Sequence, residues 1–489
     1  MAIQLYWQMS IQHKFKDHNK MKNILYSLAF LSVLSACNVS KDVQTPKPAL
    51  PDTFRNAAAT TDTTSIGDIQ YRSFFADPVL QGLIDSAILR NYDMQIAVKN
   101  IEASQLLFKQ TKWNNVPQVD LNVSANSSRP ADNSLDGLSL SEYNLGTNHI
   151  ENYQADISLS WEADIWGKIR NQSKLAFANY LQTKEAKKLI QTNIVASVSQ
   201  GYYNLLMLDA QMNIAKSNVR LDDSTLRIIK LQYDAGQVTS LAIQQAEAQQ
   251  QAAAELIPQF EQNIAIQENA LSILAGQLPE KIIRSSTLDQ ITLPSNLSAG
   301  IPSAMVSRRP DVQSAELALV VANANVGINK AYMYPALRIT ADGGVNSFKA
   351  SNWFNIPSSL FGIVAGSVLQ PLLDHKELKT QYDVAQVNRE KAVLQFRQTV
   401  LNAVGDVSDA LVKIQKLNQQ EAIAEQRVNT LNHATANASL LFKNGMADYL
   451  EVITAQGNVL QSQLELATIK RDELSAVSEL YQSLGGGWR

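Results

Sequence analysis

The sequence repeats itself. Asn91-Tyr92-Asp93 and Pro117 recur 218 positions later as Arg309-Pro310-Asp311 and Pro335. Leu159-Ser160-Trp161 precedes Ser367-Val368-Leu369 by 208 positions, and Tyr233-Asp234-Ala235-Gly236 precedes Phe442-Lys443-Asn444-Gly445 by 209. Leu274-Ala275-Gly276 precedes Leu484-Gly485-Gly486 by 210. Nearly constant spacing marks a tandem duplication, and a period of about 210 residues is far longer than a solenoid unit. Each half must therefore hold a complete set of elements.

Much of each half is helix. Lys168 to Asp234 and Glu377 to Lys443 each run 67 residues without a proline. At full helical rise each would be about 100 Å long. A glycine-centred turn at Gly236 or Gly445 stops each one, as a left-handed residue stops a helix. Shorter helices follow, expected at Ser240–Ala275 and Asp448–Leu484. Ala246, Ala253, Ile257, Phe260, Ile264, Leu271 and Leu274 keep a heptad rhythm, as do Leu450, Ile453, Leu460, Leu464, Ala467, Leu474 and Tyr481. A further helix leads each half, over Pro78–Lys112 and Ser303–Tyr332.

Between leading and long helices lie two strand-like segments per half. Val119, Leu121, Val123 and Ala125 alternate with Asp120, Asn122, Ser124 and Asn126. Tyr153, Ala155, Ile157, Leu159 and Trp161 alternate with Gln154, Asp156, Ser158, Ser160 and Glu162. In the second half Leu337, Ile339, Ala341 and Val345 alternate with Arg338, Thr340, Asp342 and Asn346, whereas Leu360 to Leu369 is apolar almost throughout. Period two with one apolar face makes a half-buried strand. Lengths near ten residues and aromatic ends suit transmembrane β-strands. A soluble antiparallel sheet packed on helices fits the same pattern. If the strands are in lipid, four cannot close a barrel and open edges are forbidden there, so several chains must combine. Twelve strands from three chains would leave an aqueous lumen.

The N-terminal region reads as an address. Met21-Lys22 precedes an uncharged stretch ending Leu34-Ser35-Ala36-Cys37, the layout of an export signal. Cys37, the single cysteine of the 489 residues, sits where a lipoprotein signal peptidase would leave it first, resembling a bacterial lipobox. Residues 1–36 are read as the signal region with Met21 as the true start, and 37–70 as lipid anchor and tether. With one cysteine, neither a disulfide within the chain nor a thiolate metal cluster is possible. A net charge of -3 gives no footing for a nucleic-acid partner. After signal removal only His149, His375 and His433 remain, without metal-ligand spacing. Phosphate loops and nucleophile elbows are absent too, so the chain is not expected to be an enzyme or to carry a cofactor beyond lipid on Cys37. Gly485-Gly486-Gly487 reads as a flexible terminus.

Two motifs point to a family. Arg308-Arg309-Pro310-Asp311-Val312 through Ala315-Glu316, with Ala324-Asn325-Val326-Gly327 and Tyr334-Pro335-Ala336-Leu337, resembles the signature of TolC-like and OprM-like outer-membrane efflux proteins. Trp161-Glu162-Ala163-Asp164-Ile165-Trp166-Gly167-Lys168-Ile169-Arg170 resembles their strand-to-helix junction. The likeness covers about Tyr71 to Trp488, as a first repeat over 71–299 and a second over 300–489. It implies a mainly α protein with a transmembrane β-barrel part: a homotrimer whose 12-stranded barrel continues into a 12-helix coiled-coil α-barrel in the periplasm. As partners it implies a periplasmic adaptor (membrane fusion) protein and an inner-membrane pump of the resistance-nodulation-division class. The function implied is that of a passive exit duct; a structural coiled-coil envelope lipoprotein and a channel for protein or peptide secretion are the alternatives. In such proteins the turns at Gly236 and Gly445 would dock the adaptor. Leu450 and Glu451 would fall at the periplasmic aperture, with Thr454 where a second acid is usual. The polar set Asp120, Asp156, Glu162, Arg338 and Asp342 would line the barrel lumen.

Overall fold

The computed structural model describes residues 50–55, 64–142, 149–292 and 297–489; Cys37 lies outside them. The chain divides into two compact units. Among the described residues, one falls within 104–179 and 318–392, and the other within 50–103, 180–317 and 393–489.

The first unit carries the sheet. Strands β1 (Gln118–Ser128), β2 (Ile150–Glu162), β3 (Ala336–Ser347) and β4 (Leu360–Leu369) form one antiparallel meander in chain order. The expected hairpins are thus joined, because β2 pairs with β3 from Tyr153↔Ser347 to Glu162↔Arg338. The 218-residue offset between β1 and β3 becomes 209 at the long helices, since the β1–β2 connection is 21 residues long and the β3–β4 connection 12.

The register sorts the side chains by face. Asp120 lies opposite Ser158, which lies opposite Asp342; Asn122 faces Asp156; Glu162 faces Arg338. Leu121, Ile157, Val119 and Leu159 occupy the other face. That apolar face stays uncovered: Leu121 is 72% exposed and Val364 80%. A soluble sheet packed on helices would bury these residues, so among the described residues the packed-sheet reading fails. Strand β4 puts Val364 and Val368 on this face and turns Phe361 and Ile363 toward the polar one, which explains its weak alternation.

An aspartate starts each long helix. Asp164 accepts hydrogen bonds from the Ile169 and Arg170 amides at 2.9 and 3.0 Å. Asp374, 210 positions on, accepts from Lys376 and Leu378 at 3.1 and 2.9 Å. The first junction turns through Gly167 at φ +74°; the second forces His375 and Lys376 to +55° and +67°. A left-handed side-chain-bearing residue costs about 1–2 kcal/mol, so the second junction is the more strained.

The second unit is helical. The leading helices are each broken where one was expected. The first is α1 (Pro78–Arg90) then α2 (Tyr92–Thr111), and the second a turn at Pro302–Val306 followed by α3 (Pro310–Tyr332). Asn91 makes the first break: its Oδ1 accepts from the Asp93 and Met94 amides at 2.8 and 3.3 Å, as an N-cap does. Pro310 makes the second, because it has no amide to continue a helix and suits a first turn. The helices that follow are α4 (Lys168–Asp234), α5 (Ser240–Leu274), α6 (Glu377–Lys443) and α7 (Tyr449–Ser483).

The two breaks do equivalent work. Asn91 Nδ2 donates to the Leu274 carbonyl at the end of α5 (3.1 Å), and Arg309 Nη1 to that of Ser483 at the end of α7 (3.1 Å). Each bond satisfies a carbonyl that the helix end leaves orphaned. Arg309 also pairs with Asp311 at 2.7 Å and Asp406 at 2.9 Å. Gly276 and Gly485 then leave the helices at φ +68° and +81°, so the structural offset here is 209, not 210. Far from being flexible, Gly485–Gly487 is buried. Gln191 donates to the Gly487 carbonyl at 3.1 Å, Lys188 lies 4.4 Å over the Trp488 ring, and Arg489 pairs with Asp68 at 2.8 Å.

Candidate functional site

Within the second unit, two helical hairpins end in matching turns. At the α4–α5 turn the Gly236 amide donates to Tyr233 (2.8 Å) and Gln237 to Gln232 (2.8 Å). At the α6–α7 turn Gly445 donates to Phe442 (3.0 Å) and Met446 to Leu441 (2.9 Å). Both close as Schellman motifs with glycine left-handed, at +74° and +70°. Ile229, Ala242, Ala246, Phe442 and Val452 pack into one apolar cluster, so the two turns support each other. Tyr449 Oη donates to Gln245 Oε1 at 2.6 Å across them. Met446 is 68% exposed.

The heptad register shifts at the start of α7. Val452, Gln456 and Val459 take the buried positions there, while Leu450 is exposed and Ile453 only half-buried. Leu450, Glu451 and Thr454 lie on one exposed stripe that continues through Asn458, Gln461 and Glu465. The three aperture candidates thus share a face that this chain leaves uncovered. Asn458 and Gln461 extend it, and their spacing of three to four residues was the available signal.

Behind that stripe, α4 and α7 meet along a polar seam. Gln456 donates to Thr225 Oγ1 at 2.7 Å, Asn218 to Gln463 at 3.4 Å, and Gln211 to Thr468 at 3.1 Å. Asp222 sits among them, 4% exposed, and its Oδ1 has no hydrogen-bond partner. Burial pushes its carboxyl up to about 6, and the neighbouring Asp223 adds to the shift. The folded chain therefore holds a proton that the unfolded chain has lost between about pH 4 and pH 6. Stability falls as pH rises through that window, by up to about 3 kcal/mol at 1.36 kcal/mol per unit. Asp222→Asn is expected to raise the thermal midpoint at pH 7.5 and to leave it unchanged at pH 4. Melting curves of the detergent-purified protein at both pH values check it; equal shifts at both would remove Asp222 as the titrating group.

In the first unit the sheet brings Asp120, Asp156, Glu162, Arg338 and Asp342 to one face. Asn122 and Gln154 donate to Asp156 at 3.2 and 2.9 Å. Glu162 pairs with Arg338 at 3.7 Å and also with Lys168. The sequence reading missed Lys168 because it belongs to a helix, six residues beyond Glu162. Four acids then stand against two bases instead of one, leaving two negative charges per chain. Among the described residues no group of acids, histidines or cysteines could hold a metal, and no helix is long and apolar enough to cross a membrane.

Comparison with known proteins agrees with these features. The family described as outer membrane efflux protein matches residues 83–277 and 301–486. The cation efflux system protein CusC of Escherichia coli O6:H1 (strain CFT073) is 27% identical over 467 residues, covering 93% of this chain and 97% of the relative. The solvent efflux pump outer membrane protein SrpC of Pseudomonas putida is 27% identical over 465 residues, covering 94% and 97%. A crystal structure of CusC superposes with a TM-score of 0.81 at 25% identity, over 92% of this chain and all of that one. With its paired matches, its four-stranded sheet and its long helical hairpins, the chain belongs to the outer membrane efflux protein family and is an outer-membrane component of an efflux system.

Proposed function

We propose that three copies form a passive exit duct, each lending four strands to a 12-stranded barrel and four helical columns to a periplasmic tunnel. The observation that carries this is the sheet: it exposes an apolar face and, among the described residues, ends in two unpaired edges, β1 and β4. In lipid such edges must pair, and further copies of the same sheet are the simplest partners. The polar face then lines the lumen with Asp120, Asp156, Glu162, Asp342 and Arg338, and Lys168 joins them. The repeats run over 71–299 and 300–489, and a lipid on Cys37 supplies a second anchor.

In this reading the exposed turns at Gly236 and Gly445 dock a periplasmic adaptor, and an inner-membrane pump of the resistance-nodulation-division class supplies the energy. Leu450, Glu451 and Thr454 ring the periplasmic aperture. The two named relatives export different classes of substrate, cations and solvents, so likeness to them selects neither. A tether lipoprotein would need no uncovered apolar sheet face, which disfavours that alternative.

Protein reconstituted in planar bilayers should conduct, with weak cation preference at low salt from the six net luminal charges of a trimer, two per chain. Absence of conductance from a folded oligomer would sink the duct. Three Glu451 carboxylates in a narrow mouth should bind multivalent cations. Glu451→Gln is expected to weaken their block from the periplasmic side about tenfold; unchanged block would place Glu451 away from the constriction.

A further inference from the structure

The base of the sheet holds a charged cluster between two cavities. Cavities of about 200 and 470 Å³ are both lined by Glu162, Lys168 and Arg338. Sheet register sets Glu162 opposite Arg338, and Lys168, the first residue of α4, reaches the same carboxylate. The smaller cavity has an aromatic wall. Trp166 and Tyr334 stack at 4.8 Å, and Trp166 Nε1 donates to the Pro335 carbonyl at 2.7 Å, so its polar edge is used and its orientation held. Lys168 Nζ lies 5.4 Å over the Tyr332 ring.

The charges are unequally committed. Two cations meet two acids, but Asp164 is already occupied by the amides at the start of α4, so only Glu162 pairs with the cations. Arg338 is the less committed cation: its side chain is 53% exposed and its ion pair with Glu162 is a single contact of 3.7 Å. A guanidinium offers five N–H donors in a planar fork that matches a carboxylate, and most of this fork is open. The larger cavity alone is within the size range of small-molecule sites.

We propose that this cluster binds small aromatic carboxylates, with Arg338 taking the carboxylate and the Trp166–Tyr332–Tyr334 wall the ring. A bare inorganic anion lacks the ring contact. A cation finds Glu162 already doubly paired. The inference rests on the duct reading only for the route by which the ligand arrives.

The test is equilibrium dialysis of 1-naphthoate against the full-length protein in lipid nanodiscs, with empty nanodiscs subtracted. Saturable binding is expected, weakened at least tenfold by Arg338→Ala and about threefold by Arg338→Lys, which keeps the charge and loses the fork. Acetate and 1-naphthalenemethanol, lacking the ring and the charge respectively, should each compete at least tenfold less well. Arg427→Ala, at an exposed arginine of α6, should bind as wild type does. Absent binding, binding equal in Arg338→Lys and wild type, or equal competition by acetate would overturn the site. Should Arg338→Ala fail to fold, the lysine variant and the competitors still decide. Binding in a protein that does not conduct would remove the duct and leave the site standing.

Discussion

Replacing Gly276 by alanine is expected to cost more than the same change at Gly485 or Gly445. A Cβ there would lie 2.5 Å from the Arg90 carbonyl oxygen, on backbone that cannot swing away, and φ is +68°. Left-handed strain contributes about 1–2 kcal/mol and the overlap about 1–3 kcal/mol more. Gly485→Ala should be milder, since its nearest atoms, in the Arg308–Arg309 backbone, are at 3.2 Å. Gly445→Ala meets open space and should cost only the strain, about 1–2 kcal/mol. Thermal midpoints of the three variants should fall in that order. If Gly445→Ala proved the most damaging, backbone strain rather than contact between helix end and helix break would govern these glycines.

The second large effect concerns the faces of β1. Leu121 and Asn122 are neighbours in sequence, but Leu121 pairs with Ile157 on the apolar face and Asn122 with Asp156 on the polar one. An arginine on the lipid face of a membrane strand costs about 2–4 kcal/mol near the bilayer midplane. Leu121→Arg is therefore expected to cut the yield of folded protein in the outer membrane sharply. Asn122→Arg should fold, since it adds a cation beside Asp156, and should shift reversal potentials toward anions. Equal tolerance of both would mean that the apolar face does not meet lipid.

The pattern of the chain determined a good deal before any packing was known. Helices of 67 residues ending at Asp234 and Lys443 follow from an absence of proline and a glycine at the stop, both local properties. Alternation placed Asp120, Asp156 and Asp342 each on the polar face of its own strand, because the side-chain period of a strand admits no other arrangement. The duplication was legible because both copies must solve the same turns and junctions.

Tertiary structure decided the rest, and in each case two distant segments had to meet. Strand β2 pairs with β3 across the boundary between the halves, and no local signal specifies which edge a strand will join. Asn91 breaks a helix that periodicity would have continued, because its side chain caps α2 and also answers the carbonyl of Leu274, 183 positions away. Gly485–Gly487 looked free in isolation, yet Gln191 and the rest of its fold hold it, since a glycine run shows its role only through the backbone it approaches. Lys168 sits in a helix by sequence, and only folding brings it to Glu162. Asp222 reads as a polar helix residue; the seam with α7 removes it from water and raises its carboxyl, because desolvation belongs to the packed environment and not to the residue.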